Sequence, residues 1–161
     1  MIAPEILEQA GFLQNVGGNY LGELAQMAES KEYPAGAEIF RQLDRSPHFY
    51  FVLEGEVALD IQVSGREAVE IHRAGRGEFL GWSPTLGDRG MTGGARATAP
   101  TRMAIFDVAR VHELCERDPS FGKTFYREVA RLVARRLDDT RQRLSHHLPR
   151  KPLWWLAEGA D

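Results

Sequence analysis

The chain has 161 residues, 43% of them hydrophobic and 27% charged, with a formal net charge of −3. That is the make-up of one soluble globular domain, with or without a tail, and it excludes a collagen-like, low-complexity or disordered chain. The single cysteine, Cys115, excludes an internal disulfide, and no run approaches the ~18 consecutive apolar residues of a membrane span. With no basic leader at MIAPEILEQ, the expected location is the cytoplasm.

Residues 4–14 and 19–29 carry apolar side chains at helical spacing, parted by Gly17 and Gly18. This N-terminal helical segment is assigned to residues 1–29. From Lys31 to Asp107 glycines interrupt short alternating runs: AEIF, FYFVL, EVALDIQV, AVEIH, ARATA and RMAIF. Many short strands with frequent turns predict an antiparallel roll, sandwich or barrel. VSGRE at 63–67 reads as a hairpin turn around Gly65.

The period returns to 3.6 at Asp107, which is placed to cap a short helix, Val108–Arg117. Asp118-Pro119 is a strong helix start, and the helix that follows is predicted to run to about His147, before Pro149. The roll and short helix are assigned to 30–118, the long helix to 119–148 and a tail to 149–161. Phe121, Phe125, Val129, Leu132, Val133, Leu137, Thr140 and Leu144 form one apolar stripe along the long helix. The stripe is too long for one small roll to cover, so part is expected to pack on the roll. The rest is expected to form the interface of a homodimer.

Residues 1–122 carry 11 basic and 18 acidic side chains, whereas residues 123–161 carry 9 basic and 5 acidic. Lys123, Arg127, Arg131, Arg135, Arg136, Arg141 and Arg143 supply most of that basic segment, and a solvated face beside a dimer seam is the expected reading. In the tail, Trp154 and Trp155 are costly to leave in water. Docking on the chain's own body or its mate is expected, with a partner-docking peptide or a membrane-surface contact as alternatives.

The order of helices, glycine-studded roll, short helix and long helix is joined by YPAGAEIFRQLDRSPHFYFVLEGEVAL at 33–59 and GEFLG at 77–81. Over roughly residues 20–147 the chain resembles the cyclic nucleotide-binding domain of catabolite-activator and FNR-type regulators. Pro34, Gly36, Ile39, Phe40, Tyr50, Val52, Gly55 and Val57 stand in the family's places, while Leu43 stands where the family usually turns on a glycine. The resemblance implies an α+β fold, mainly β: a jelly-roll type β-roll with N-terminal helices and a long C-terminal dimerisation helix.

The resemblance also implies a ligand loop in which a glutamate takes the ribose hydroxyl and an arginine takes the cyclic phosphate. Here Gly81 keeps the glycine, Trp82 replaces the glutamate, and spacing puts the arginine at about Gly93, with Ala95 as the following alanine. An indole offers only a donor and glycine offers no side chain, so ordinary cyclic AMP binding is not expected. The candidate ligand site is Leu80, Gly81, Trp82, Ser83, Arg89, Gly93, Gly94 and Ala95. Trp82 either plugs it or forms an aromatic wall. Arg96 should point outward, because Ala95, Ala97 and Ala99 are the small inward set. Arg89 sits in the GDRG loop and reads as a solvated turn residue.

Nothing in the sequence predicts catalysis or a cofactor. His48 and His72 lie in the roll without metal-ligand spacing. The family's DNA readers carry a helix-turn-helix after the long helix. About 14 residues follow His147 here, so direct DNA binding is not expected, and control of transcription would act through a partner. The function expected is a non-enzymatic sensory or regulatory module that does not bind cyclic AMP or cyclic GMP in the usual way and has room for another small ligand. The alternative is a ligand-free protein-interaction module.

Overall fold

Alternation within one strand organises the molecule. The computed structural model describes residues 2–8, 12–13, 15, 18–62, 67–87 and 90–147. Strand β3, His48–Glu54, reads HFYFVLE and buries every residue between its ends. Phe49, Phe51 and Leu53 enter one apolar cluster, and Tyr50 and Val52 enter another. A strand buried on both faces lies between two layers. One layer is the interior of a β-roll; the other is a set of helices.

The remaining strands are β1 Glu29–Tyr33, β2 Glu38–Phe40, β4 Val57–Ile61, β5 Val69–Ala74, β6 Phe79–Leu80, β7 Gly94–Ala97 and β8 Thr101–Asp107. They make two four-stranded sheets, β1-β8-β3-β6 and β2-β7-β4-β5, in which every pairing is antiparallel. This is the predicted roll. β8 repeats the division of β3: Ala104 and Phe106 face the helices, and Met103 faces the roll interior. In β6, Phe79 goes to the helices and Leu80 to the roll.

The helices are α1 Pro4–Glu8, α2 Gly18–Met27, α3 Val108–Arg117 and α4 Pro119–His147. Both predicted caps form. Asp107 accepts from Arg110 N at 3.2 Å, and Asp118 Oδ1 accepts from Ser120 N at 2.9 Å and Phe121 N at 3.1 Å. Tyr20 donates to Asp118 Oδ2 at 2.5 Å, which ties α2 to the start of α4. One boundary differs from expectation. The first helix is described over Pro4–Glu8, with residues 9–11 and 14 of that apolar stretch outside the described residues, and the end of the second apolar stretch is the edge strand β1. The turn at 63–66 lies outside the described residues.

Two turns fix the roll. Gly55 has φ +89, and a Cβ there would stand 2.4 Å from Pro100 O, so only glycine fits where the β3–β4 corner meets the opposite loop. Leu43 adopts φ 70, a left-handed conformation unfavourable for leucine, and is 79% exposed. Its strain is held by Leu43 N donating to Met91 O at 2.8 Å and Met91 N donating to Asp44 O at 2.9 Å. The odd turn therefore anchors Met91.

The stripe on α4 divides near Val133. Phe121, Phe125, Val129 and Leu132 are buried in the chain's own helix-side cluster, with Phe12, Phe49 and Phe106. Phe125 alone meets Phe12 at 5.8 Å, Phe49 at 6.0 Å and Phe121 at 5.8 Å between ring centroids. The expectation that these four form a dimer interface is corrected: they have no surface left to offer. Val133, Thr140 and Leu144 are half-buried and Leu137 is 48% exposed.

Candidate functional site

Between the roll and the second half of α4 lies a cavity of about 300 Å3. Sequence order explains its position. β6 ends at Leu80, Gly81 turns with φ +71, and Trp82 leads into the 3-10 helix Ser83–Leu86. That short helix is fastened at both ends. Thr85 Oγ1 donates to Trp82 O at 2.5 Å, and His112 Nε2 lies 3.2 Å from Thr85 O, linking it to α3. The chain returns through Met91 and Thr92 into β7, where Thr92 N donates to Ser83 Oγ at 3.3 Å.

Of the residues predicted for the ligand site, Leu80, Gly81, Trp82, Ser83, Gly93 and Gly94 line this cavity. Ala95 does not. It is buried in the roll interior beside Ala97, while Arg96 points outward and donates to Gly36 O at 3.1 Å. Arg89 lies outside the described residues. Trp82 is half-buried, packs on the helix-side cluster and forms a wall of the cavity, which stays open.

Two side chains meet the Gly81 turn: a Cβ there would stand 3.1 Å from Tyr50 Cδ2 and 3.2 Å from Met91 Cε. Gly93 has no room for a side chain, since a Cβ there would stand 2.5 Å from Asp60 O on β4. Met91 is 1% exposed. The corner opposite Gly81 thus holds a buried thioether where a phosphate would need a cation.

The far wall comes from α4, which contributes Val133, Arg136, Leu137 and Thr140. Val133, Leu137 and Thr140 were assigned to the dimer stripe and are here cavity wall. Arg136 was read as part of a solvated basic face, yet it is 6% exposed. Nearby, His72 on β5 sits between Glu78 Oε1, 2.9 Å from Nε2, and Asp139 Oδ2 on α4, 3.3 Å from Nδ1. Arg136 Nη2 donates to the same Glu78 at 3.4 Å. Other basic residues of α4 also meet the chain's own carboxylates: Arg131 pairs with Glu128 at 2.6 Å and Arg143 with Glu70 at 3.6 Å.

Burial alone would raise the Glu78 carboxyl. The hydrogen bonds from His72 and Gly75 N, with the charges of His72 and Arg136, outweigh burial and hold it below the usual range. A carboxyl depressed in the folded state adds stability above its ordinary titration range. That contribution is lost as pH falls through the folded value. Glu78→Gln should therefore flatten the acid limb of the melting-temperature profile while changing the profile little in its shape above neutrality. Burial pushes the Cys115 thiol up to about 11, which leaves it an inert core group.

The model for the cyclic nucleotide-binding domain matches residues 30–118, more than half of the chain. The chain belongs to the cyclic nucleotide-binding domain family. A cyclic nucleotide-binding-type protein from Geobacter metallireducens GS-15 is 30% identical, covers 85% of this chain and 99% of its own, and superposes with a TM-score of 0.73. The catabolite activator protein of Thermus thermophilus shares the fold at 23% identity and a TM-score of 0.70, over 83% of this chain and 61% of its own. Among curated proteins, the cGMP-dependent protein kinase of Caenorhabditis briggsae is 28% identical over 95 residues, 58% of this chain. The chain spans 13% of that kinase and 28% of a Rhodopseudomonas palustris protein named for a potassium channel. This domain keeps the fold of that family. Among the described residues no helix is long and apolar enough to cross a membrane.

Proposed function

We propose that this cyclic nucleotide-binding-type domain is a non-enzymatic regulatory module whose roll cavity takes a small molecule other than a cyclic nucleotide. The observation that carries the reading is the pairing of Trp82 and Met91 around a cavity of about 300 Å3 that remains open. An open cavity with an apolar lining and a few hydroxyls is the usual form of a small-molecule site. Ser83, Thr92 and Thr140 supply the hydroxyls. Because α4 forms one wall, occupancy is coupled to the position of that helix, and a shift of α4 is the output a partner or a second copy would read. The test is thermal stabilisation of the native chain by 4-phenylbutanol, a neutral apolar probe, beside cyclic AMP. The alcohol should raise the melting temperature and cyclic AMP should not. The reverse result overturns the reading.

The same helix supports a two-fold dimer through what the core leaves uncovered: Leu137, with Thr140 and Leu144. Mass by light scattering should give a dimer for the native chain and a monomer for Leu137→Glu. A native monomer removes the dimer from this account.

A further inference from the structure

Arg136 carries five N–H donors, and among the described residues its one side-chain acceptor is Glu78 Oε1, at 3.4 Å. For a guanidinium buried to 94% this is a thin set of partners, since only 6% of the residue is exposed. Buried charges are normally paired and hydrogen-bonded, and an arginine prefers a two-pronged bond to an oxyanion. Burial pulls Arg136 down from the ordinary arginine value, and the charges of Glu78 and Asp139 offset this only in part.

Two spaces adjoin Arg136. A cleft of about 590 Å3 on the outer side is also lined by Arg135, His72, Glu78, Asp138 and Asp139, so its cationic groups already face the chain's own carboxylates, which compete with any added anion. The roll cavity has no carboxylate in its lining. Its lining includes Leu59, Ile61, Ile71, Trp82, Met91 and Val133. A ligand filling it would place a hydrocarbon or aromatic body against those side chains and needs one anionic group to answer the arginine.

We infer that the roll cavity binds a small amphipathic anion, an apolar body bearing a single carboxylate-type group, with Arg136 of α4 as its anchor. The inference rests on the reading of the cavity as a ligand site. It reverses the layout of an anion held by the loop, because here the cation is on the helix. The ligand's oxyanion and Glu78 compete for one guanidinium.

The test compares 4-phenylbutyrate with 4-phenylbutanol by calorimetry on the full chain. The carboxylate should bind about ten-fold or more tightly than the alcohol, the scale of one charge-assisted hydrogen bond. Arg136→Met should remove that advantage and leave alcohol binding in place. Glu78→Gln should strengthen carboxylate binding by freeing the guanidinium. Arg135→Gln, which lines only the outer cleft, should leave both affinities unchanged. Equal binding of the two probes to the native chain overturns the anion inference while the ligand cavity stands, and this comparison needs no variant. Binding of neither overturns both. Loss of carboxylate binding in Arg135→Gln moves the anion to the outer cleft and overturns the assignment to the roll.

Discussion

Phe125→Ala should lower the unfolding free energy by about 3–5 kcal/mol, the usual cost of emptying a fully buried phenylalanine site. Phe125 is 1% exposed and lies among Phe12, Phe49, Phe121 and Tyr126, with centroids 5.6–6.0 Å away. These rings come from the N-terminal segment, β3 and α4, so the vacated space cannot close without moving three elements at once. Denaturant titration checks the prediction, and the effect should be independent of protein concentration. A concentration-dependent loss would mean that Phe125 faces a second copy and not the core.

Gly93→Arg should destabilise the domain by about 2 kcal/mol or more and should not confer cyclic AMP binding. The family resemblance makes this substitution look like a repair. The packing makes it damage. The added Cβ would stand 2.5 Å from Asp60 O, and Gly94, paired with Asp60 in the β4–β7 ladder, has only 2.6 Å between its own would-be Cβ and Asp60 Oδ1. Backbone cannot swing aside as a side-chain tip does, so the ladder must part. A melting temperature within a degree of the native value would show that β4 yields more readily than this account holds.

The sequence made the roll legible because its strands alternate. Phe49, Phe51 and Leu53 against Tyr50 and Val52 is a period of two that only a doubly covered strand satisfies. β1 was not legible. Its ESKEY is exposed at four of five positions, an edge strand with almost no apolar signal, and β6 at two residues is too short to show a period. The helix stripe was visible, but periodicity shows which face is apolar and not what covers it. Phe121 to Leu132 meet the chain's own Phe12 and β3, and contacts that distant in sequence leave no local trace.

The site was legible in part. GEFLG located the loop, and the missing glutamate and arginine were read as missing. Met91 carries no local signal, because only the turn at Leu43, which is distant in sequence, holds residue 91 beside Gly81. Arg136 was hidden among seven basic residues of α4. Its neighbour Arg135 is exposed and Arg136 is buried, a difference that depends on where the helix lies against the roll.

The resemblance makes Trp82 and about Gly93 the replacements for the glutamate and the arginine, and losing two ionic hydrogen bonds, each worth roughly 1.5–3 kcal/mol, would amount to about three orders of magnitude in affinity. Calorimetric titration of the native chain with cyclic AMP and cyclic GMP is the most direct measurement. The prediction is a dissociation constant weaker than about 100 μM for both. A value in the low micromolar range for either would contradict it, because an apolar corner at Gly81 could not then be the reason the loop differs.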